Sequence, residues 1–208
     1  MRVLELFCGT KSFSKVAEEK GDECFTIDIE KRFNPTLCID IMDFKVEMLN
    51  GFKPDMIWAS PPCQCFSVAS IGSNWIGNYQ PKRKETKEAI KIIKKTIQII
   101  KELKPKYWII ENPRGVLRKM DFMKELPKTT VCYCKYGDTR MKPTDLWNNF
   151  EFKGKMCKNG NPDHISAPRG SKTGTQGLRG AKERGVIPKK LCKEILNNID
   201  KTAQELTK

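Results

Sequence analysis

The chain of 208 residues has room for one domain with a substantial core, and a second catalytic domain does not fit within that length. Its 39 lysines and arginines outnumber its 25 aspartates and glutamates. The formal net charge of +14 makes nucleic acid the leading partner, although the charge alone would equally fit a solvated lysine-rich surface. Nine cysteines without a charged and apolar leader favour a reducing cytoplasm over a secreted disulfide framework. The apolar runs are far shorter than the roughly 20 residues of a membrane span, so we expect no membrane association, and a monomer is favoured.

Short apolar runs alternate with helical patterns through the first two thirds of the chain, as in βαβ units around a parallel sheet buried on both faces. The predicted strands cover residues 2–7, 23–27, 55–59 and 107–110. The predicted helices cover residues 12–20, 85–104 and 189–206. The sequence therefore predicts an α/β fold with a mostly parallel sheet flanked by helices.

The composition changes between residues 151 and 185, where half of the chain's 14 glycines lie among scattered lysines and arginines. A segment of this kind cannot build a large core of its own. We therefore expect a catalytic domain over residues 1–150, a small irregular Gly/Lys-rich insertion over 151–185, and a C-terminal helix over 186–208 that packs back on the first part.

The residues that complete the predicted strands are expected to frame one pocket, because ligands of open α/β sheets bind outside the carboxyl ends of the strands. These strand ends are residues 7–10, 28–29, 38–41, 61–64 and 111–113.

Two of these strand ends carry a thiol and a carboxyl group. Cys63 directly follows two prolines, and Glu111 ends the apolar run at residues 107–110. A thiol beside an acid is the pair that attack on a pyrimidine ring requires. Cys65 is the alternative thiol, although in an extended loop it would point the other way. Taken alone, Glu111 could equally be a buried structural carboxylate.

The order and spacing of three motifs resemble the C5-cytosine methyltransferase family, which transfers a methyl group from S-adenosylmethionine to carbon 5 of cytosine. The motifs are the cofactor loop at 4–9 (Leu-Glu-Leu-Phe-Cys-Gly), the nucleophile loop at 61–67 (Pro-Pro-Cys-Gln-Cys-Phe-Ser) and the acid at 111–112 (Glu-Asn). The resemblance implies a Rossmann-like S-adenosylmethionine-dependent methyltransferase fold. Residues 142–147 and 167–177 are similar to compact phage-type members, which implies a minimal recognition region and, for a phage-encoded protein, the host cytoplasm.

The cofactor site can be argued from the residues as well as from the resemblance. Asp28, some twenty residues beyond Gly9, is placed to accept hydrogen bonds from both ribose hydroxyls. Gly9 allows close backbone approach, although a simple strand-to-helix turn is the alternative. By resemblance Ile29 packs on the adenine and Asp40 accepts from its amino group, with Asp43 as competitor. The full predicted set of cofactor-binding residues is Phe7, Cys8, Gly9, Thr10, Asp28, Ile29, Asp40, Ile41 and Pro61.

The resemblance also assigns catalytic roles. The thiolate of Cys63 adds to C6 of cytosine and places electron density on C5. Glu111 contacts N3 and the exocyclic amine and carries the proton that neutralises the charge. Arg140 lies where the family places an arginine motif that holds the cytosine, with Lys142 nearby where the family has a second arginine.

The cytosine must leave a stacked duplex before its ring can be attacked. Residues 66–83 follow the nucleophile and combine serines and glycines with Trp75 and basic residues, which indicates either a loop that fills the gap with a stacking side chain or a merely tolerated loop. The predicted substrate contacts are Gln64, Ser67, Arg114, Lys172, Gln176 and Arg179.

Cysteines and the only histidine of the chain raise the possibility of a zinc site. The candidates are Cys132, Cys134, Cys157, Asp163 and His164. Their spacing is not that of a paired zinc finger, and Cys132 and Cys134 would also alternate across a strand. The predicted ligands are Cys134, Cys157 and His164.

The leading functional hypothesis is a DNA cytosine-C5 methyltransferase that binds S-adenosylmethionine. The alternatives are an RNA (tRNA) cytosine-C5 methyltransferase and a non-catalytic DNA-binding protein.

Overall fold

The computed structural model describes residues 1–158, 160–165 and 181–205, so the predicted contacts of Lys172, Gln176 and Arg179 lie outside the described residues. The strands are β1 (Arg2–Leu6), β2 (Glu23–Asp28), β3 (Leu37–Cys38), β4 (Met56–Ala59), β5 (Trp75–Ile76), β6 (Gln80–Pro81), β7 (Tyr107–Pro113), β8 (Lys128–Cys132) and β9 (Pro143–Asn148). The helices are α1 (Ser12–Glu19), α2 (Ile71–Asn74), α3 (Lys84–Leu103), α4 (Asp121–Lys124), α5 (Ala181–Gly185) and α6 (Lys189–Glu205). Among the described helices, none is both long and apolar enough to cross a bilayer.

Seven strands form one sheet in the order β3-β2-β1-β4-β7-β9-β8. The first five of these are parallel, whereas β9 runs antiparallel to both β7 and β8. The prediction of an α/β fold with a mostly parallel sheet is confirmed. From β1 the chain adds β2 and β3 on one side of the sheet, and then returns to add β4 on the other side of β1. This change of direction leaves a crevice at the carboxyl ends of β1 and β4.

Helices cover both faces of the sheet, and the alternation of side chains along each strand divides the core between them. On β1, Leu4 belongs to the cluster that packs against α3, whereas Val3 belongs to the cluster that packs against α1 and α6. On the second face the ring of Phe13 from α1 stacks on Trp58 of β4, with 4.4 Å between centroids. Burial on both faces explains why the strands are almost uninterrupted apolar runs.

A carboxylate from the sheet caps the first helix. Glu5 of β1 is buried and accepts hydrogen bonds from the backbone nitrogens of Phe13, at 3.3 Å, and Ser14, at 2.9 Å. Amides in the first turn of a helix have no hydrogen-bond partner within the helix. The carboxyl group of Glu5 supplies that partner at the N-terminal end of α1, where the helix dipole is positive. Burial raises the pKa of Glu5 from 4.5 to about 7, even though the hydrogen bonds from Ser14 and Phe13 oppose the shift.

The segment after the nucleophile is more ordered than the open loop that its composition predicts. It contains α2 and a two-stranded hairpin of β5 and β6. Trp75 is 4% exposed, lies 5.8 Å from the ring of Phe66, and donates from Nε1 to the carbonyl of Cys65 at 2.7 Å. The indole of Trp75 therefore anchors this segment to the core, and a side chain that stacks on a base would have to be another residue of 66–83, such as Tyr79, which is 38% exposed.

Candidate active site

The loop that follows β1 is fixed against the end of β2. Phe7 and Gly9 both have a positive φ angle, 58° and 47° respectively. A positive φ is uncommon for a residue other than glycine, such as Phe7, and is often found in turns at functional sites. The amide of Gly9 donates to Oδ2 of Asp28 at 2.8 Å, and the amide of Glu30 donates to Oδ1 at 2.8 Å. The carboxylate of Asp28 is thereby oriented at the crevice, with lone pairs left for further donors.

Beside this carboxylate lies an apolar surface. Ile29 is 63% exposed directly after β2, where a flat aromatic ligand would cover it. Asp40 is half-buried and accepts from the amide of Met42 at 2.9 Å, whereas Asp43 is exposed. An oriented acid, an exposed apolar side chain and a glycine loop fit the ribose and adenine of S-adenosylmethionine.

Other predicted cofactor residues are less accessible. The side chain of Ile41 is 5% exposed and packs in the core cluster, so any contact would come from its backbone. Cys8 is also buried, and burial followed by the charges of Glu5 and Asp28 raises the pKa of its thiol to about 12. Thr10 is half-buried and Pro61 is buried.

The nucleophile loop is a tight turn held by the strand of the acid. The carbonyl of Cys63 accepts from the amides of Phe66, at 3.0 Å, and Ser67, at 3.1 Å. Two residues earlier, the carbonyl of Pro61 accepts from Nδ2 of Asn112 at 3.0 Å. Because Asn112 follows Glu111 on β7, one side-chain hydrogen bond fixes the thiol loop relative to the acid.

A second close approach brings the loop after β7 onto the nucleophile loop. The amide of Val116 donates to the carbonyl of Phe66 at 2.8 Å. A β-carbon on Gly115 would lie 2.2 Å from this carbonyl oxygen, so no side chain fits there. Glycine is required at position 115 because the two loops leave no room for a β-carbon, and not because its backbone angles are closed to other residues.

The electrostatic environment of Cys63 contains both signs of charge. Burial raises the pKa of its thiol and the carboxylate of Glu111 raises it further, whereas Lys142 and Arg184 lower it. The resting side chain is therefore a thiol whose ionisation depends on the two cations. Cys65, the alternative nucleophile, is half-buried and packs against the core instead.

Glu111 lies inside β7 rather than after it, because pairing with β9 continues to Pro113. Glu111 is 6% exposed, and its Oε1 accepts a hydrogen bond from the hydroxyl of Tyr133 at 2.8 Å. Burial, followed by the charge of Glu111, raises the pKa of Tyr133 well above its ordinary value, so this hydroxyl stays a donor. Tyr133 was not predicted from the sequence.

Arg140 is buried and its guanidinium is held by Asp138, with Nε 2.8 Å from Oδ1 and Nη2 paired with Oδ2. Although burial opposes it, the hydrogen bonds and charge of Arg140 hold the pKa of Asp138 below its usual value. Nη1 of Arg140 also donates to the carbonyls of Glu183, at 3.4 Å, and Arg184, at 3.5 Å. The predicted arginine therefore joins its own loop to α5.

Lys142 is the second residue that the sequence did not assign. It is 9% exposed, its Nζ lies 4.6 Å from the ring centroid of Tyr133, and it donates to the carbonyl of Arg184 at 3.0 Å. Its positive charge lowers the pKa of the Cys63 thiol, and it packs on the ring of Tyr133, the residue that holds Glu111. The sequence signal was its position two residues after Arg140, near where the resembled family has a second arginine.

The remaining predicted substrate contacts that are described lie around this crevice. Gln64 is exposed, Ser67 is half-buried, and Arg114 is exposed with its amide bonded to the carbonyl of Pro143 at 2.9 Å.

The predicted zinc ligands come together away from the crevice. One ligand atom each of Cys134, Cys157 and His164 lies within 4.8 Å of the others. Cys132 packs in the same small cluster, whereas the carboxylate of Asp163 pairs with Lys135.

Comparisons with known proteins agree with this arrangement of motifs. A family model described as C-5 cytosine-specific DNA methylase matches residues 1–130. A curated relative, "Probable DNA (cytosine-5)-methyltransferase" of Frog virus 3 (isolate Goorha), is 33% identical over 167 residues, which are 76% of this chain and 75% of that protein.

Solved structures share the fold at low sequence identity. A candidate DNA modification methyltransferase encoded within an E. coli prophage superposes with a TM-score of 0.55 at 19% identity, over 80% of this chain and 57% of that chain. The methyltransferase EhMeth of Entamoeba histolytica gives 0.51 at 14% identity, over 76% of this chain and 57% of that chain. The chain thus spans little more than half the length of these structures. From the family model and the curated relative, the chain belongs to the C-5 cytosine-specific DNA methylase family.

Proposed function

We propose that this protein transfers a methyl group from S-adenosylmethionine to carbon 5 of cytosine in DNA, with Cys63 as the nucleophile and Glu111 as the acid. The observation that carries the proposal is the pairing of these two side chains at one crevice. The hydrogen bond from the side chain of Asn112 to the carbonyl of Pro61 ties the Cys63 loop to the strand of Glu111, and the charge of Glu111 raises the pKa of the Cys63 thiol.

The crevice beside them fits the cofactor. Asp28 would accept from the ribose hydroxyls, Ile29 would cover one face of the adenine, and the loop at Gly9 would approach the ligand with its backbone. When bound, S-adenosylmethionine supplies an electrophilic methyl group.

Cys63 makes carbon 5 nucleophilic. Its thiolate adds to C6 of the cytosine, which breaks the aromaticity of the ring and moves electron density to C5. Burial and Glu111 disfavour the thiolate, while Lys142 and Arg184 favour it. Once C5 has been methylated, its proton passes to solvent as the Cys63 sulfur leaves C6 as a thiolate, and N3 returns its proton to Glu111, so the aromatic ring and the acid are restored.

Glu111 neutralises the negative charge that develops on the cytosine ring. Protonation of N3 neutralises the negative charge that develops as the thiolate adds, and a carboxyl group within reach of N3 supplies that proton. Tyr133 occupies Oε1 of Glu111, which leaves the other carboxyl oxygen to face the base. Tyr133 is thus a positioning residue for the acid.

DNA is proposed as the acceptor because the matched family methylates DNA and because the net charge of +14 favours a polyanion. Both features would also suit an RNA acceptor, so the substrate requires a direct comparison. The non-catalytic alternative is disfavoured by the presence of both a half-buried Cys63 and a buried Glu111 at one crevice.

The test is a comparison of duplex DNA, single-stranded DNA and tRNA as acceptors for methyl-labelled S-adenosylmethionine, followed by analysis of the nucleosides. We expect 5-methyl-2′-deoxycytidine from DNA, complete loss of the product in Cys63→Ala, and retention in the matched control Cys65→Ala. Product from tRNA alone would move the assignment to RNA. Product at an atom other than C5, or full transfer by Cys63→Ala, would refute it.

A further inference from the structure

Three side chains with soft metal-binding atoms meet behind the turn at Tyr133–Tyr136. Cys134 and Cys157 are each 6% exposed, and His164 is half-buried. The Sγ atom of Cys157 lies 3.5 Å from Nδ1 of His164, and all three ligand atoms lie within 4.8 Å of one another.

The separation of Cys157 and His164 matches that of two ligands in a zinc tetrahedron, and Cys134 lies within 4.8 Å of both. Bonds of about 2.3 Å to sulfur and about 2.0 Å to nitrogen place sulfur and nitrogen ligands about 3.6 Å apart and two sulfurs about 3.8 Å apart. The pair of Cys157 and His164 already has this spacing. Thiolate and imidazole ligands favour zinc over magnesium or calcium, which prefer oxygen.

The cluster lies where the insertion contacts the sheet. The amide of Cys132 on β8 donates to the carbonyl of Lys155 at 2.9 Å, and the amide of Ile165 donates to the carbonyl of Thr139 at 3.0 Å. Gly154 lies so close to β8 that a β-carbon there would be 2.5 Å from the carbonyl oxygen of Thr130. Residues 154 and 155 therefore lie along β8 at the edge of the sheet, and Ile165 contacts the loop at Thr139.

Few apolar side chains hold this segment. Met156 and Ile165 are exposed, 45% and 68%, so the stretch gains little from hydrophobic burial. An ion pair between Lys135 and Asp163 adds a contact at a partly exposed position, which contributes little stability. A segment of this kind needs another source of order.

We propose that Cys134, Cys157 and His164 bind a structural zinc ion that fastens residues 154–165 to β8 and to the turn at Tyr133–Tyr136. The two cysteines come from the two sides of this contact, so the ion would cross-link the insertion to the catalytic domain. A water molecule would complete the tetrahedron. The residues outside the described ranges include no Cys, His, Asp or Glu that could serve as a further ligand.

The ion would also support the active site. Cys134 directly follows Tyr133, whose hydroxyl holds Glu111, and the same turn leads to the ion pair of Asp138 and Arg140. Fixing one end of this turn restricts the motion of residues that line the crevice, as outer-shell partners do around other sites.

The first experiment measures zinc in the full chain, purified without a metal-affinity tag, by elemental mass spectrometry. We expect about one zinc per chain, and at least about a tenfold loss of affinity in Cys157→Ser and His164→Ala. The matched control is Cys38→Ser, which removes an exposed thiol on β3 and should keep the full zinc content. A metal-free wild type that also fails to bind added zinc would overturn the proposal, as would full zinc content in Cys157→Ser.

Two further measurements keep the proposal testable if a variant misfolds. X-ray absorption of the zinc-loaded wild type should show two sulfur neighbours, and a shell of nitrogen and oxygen alone would contradict the site. Chelation should speed amide exchange in residues 132–141 and 154–165 but not in β1 or β2, whereas unchanged exchange would argue against a staple. None of these readouts uses methyl transfer, so they stand or fall separately from the proposed function.

Discussion

The hydroxyl of Tyr133 donates a hydrogen bond to Oε1 of Glu111 at 2.8 Å, and both residues are almost fully buried. Tyr133 lies in the turn directly after β8, whereas Glu111 lies on β7. Because the pKa of Tyr133 is raised by burial and by Glu111, the donor persists across the pH range in which the enzyme would work. The acid thus has one oxygen fixed and the other available.

Tyr133→Phe should lower kcat by about 10- to 100-fold, which is the cost of leaving a buried acceptor oxygen of Glu111 without its donor. We also expect a changed pH dependence of kcat with little change in KM for DNA, because the variant alters the acid rather than the binding surface. Tyr107→Phe is the matched control, since the hydroxyl of Tyr107 is buried without a hydrogen-bond partner among the described residues. Equal losses in both variants would contradict a positioning role for Tyr133.

Lys142→Met should make Cys63 less reactive. Removing a cation that lowers the pKa of the thiol moves that pKa upward, so less thiolate is present at a given pH. Alkylation of Cys63 near neutral pH should become at least about threefold slower, as followed by peptide mass spectrometry. The control Lys101→Met removes a charge from the exposed face of α3. An unchanged or faster reaction in Lys142→Met would show that the lysine does not act on the thiol.

Asn112→Ala should separate catalysis from cofactor binding. The variant removes the bond to the carbonyl of Pro61 that fixes the nucleophile loop, and its loss costs about 1 to 3 kcal/mol when a buried partner is left unsatisfied. We expect kcat to fall by more than about tenfold while calorimetry shows nearly unchanged affinity for S-adenosylmethionine. A parallel loss of cofactor affinity would mean that the whole crevice had changed.

The stability of the protein should decrease as the pH rises through the window from 4.5 to about 7, because the pKa of Glu5 is raised over that interval in the folded state. Within it the unfolded chain releases a proton that the folded chain retains, so the free energy of unfolding falls by about 3 kcal/mol in total. Glu5→Gln should lose this component in urea titrations at pH 5 and pH 8, whereas Glu102→Gln should retain it. A pH profile of Glu5→Gln identical to that of the wild type would be inconsistent with a buried titrating carboxyl.

The fold was largely predictable from the sequence. Strands buried on both faces appear as apolar runs, and the segments between them have apolar residues at the 3.6-residue period of a helix. The strand-end rule also located the crevice. The length of β7 was not predictable. Glu111 and Asn112 are polar and Pro113 has no backbone N–H group, so only their antiparallel pairing with β9 shows that the strand continues through them.

Contacts distant in sequence account for what the sequence missed. Tyr133 and Glu111 are 22 positions apart, and no local pattern reports that β8 brings the hydroxyl to the acid. Trp75 lies among glycines and serines that indicate an exposed loop, yet its indole is anchored at the carbonyl of Cys65. Tertiary packing decides both positions.

The most direct test of the central claim is a trapping experiment with duplex DNA that contains 5-fluorocytosine. Fluorine at C5 cannot leave as a proton does, so the bond between the sulfur of Cys63 and C6 should persist. Incubation with S-adenosylmethionine should give a denaturation-resistant protein–DNA adduct in the wild type and in Cys65→Ala but not in Cys63→Ala, and peptide mass spectrometry should locate it at Cys63. An adduct at Cys65, or 5-methylcytosine formed from ordinary DNA by Cys63→Ala, would contradict the assignment of Cys63 as the nucleophile.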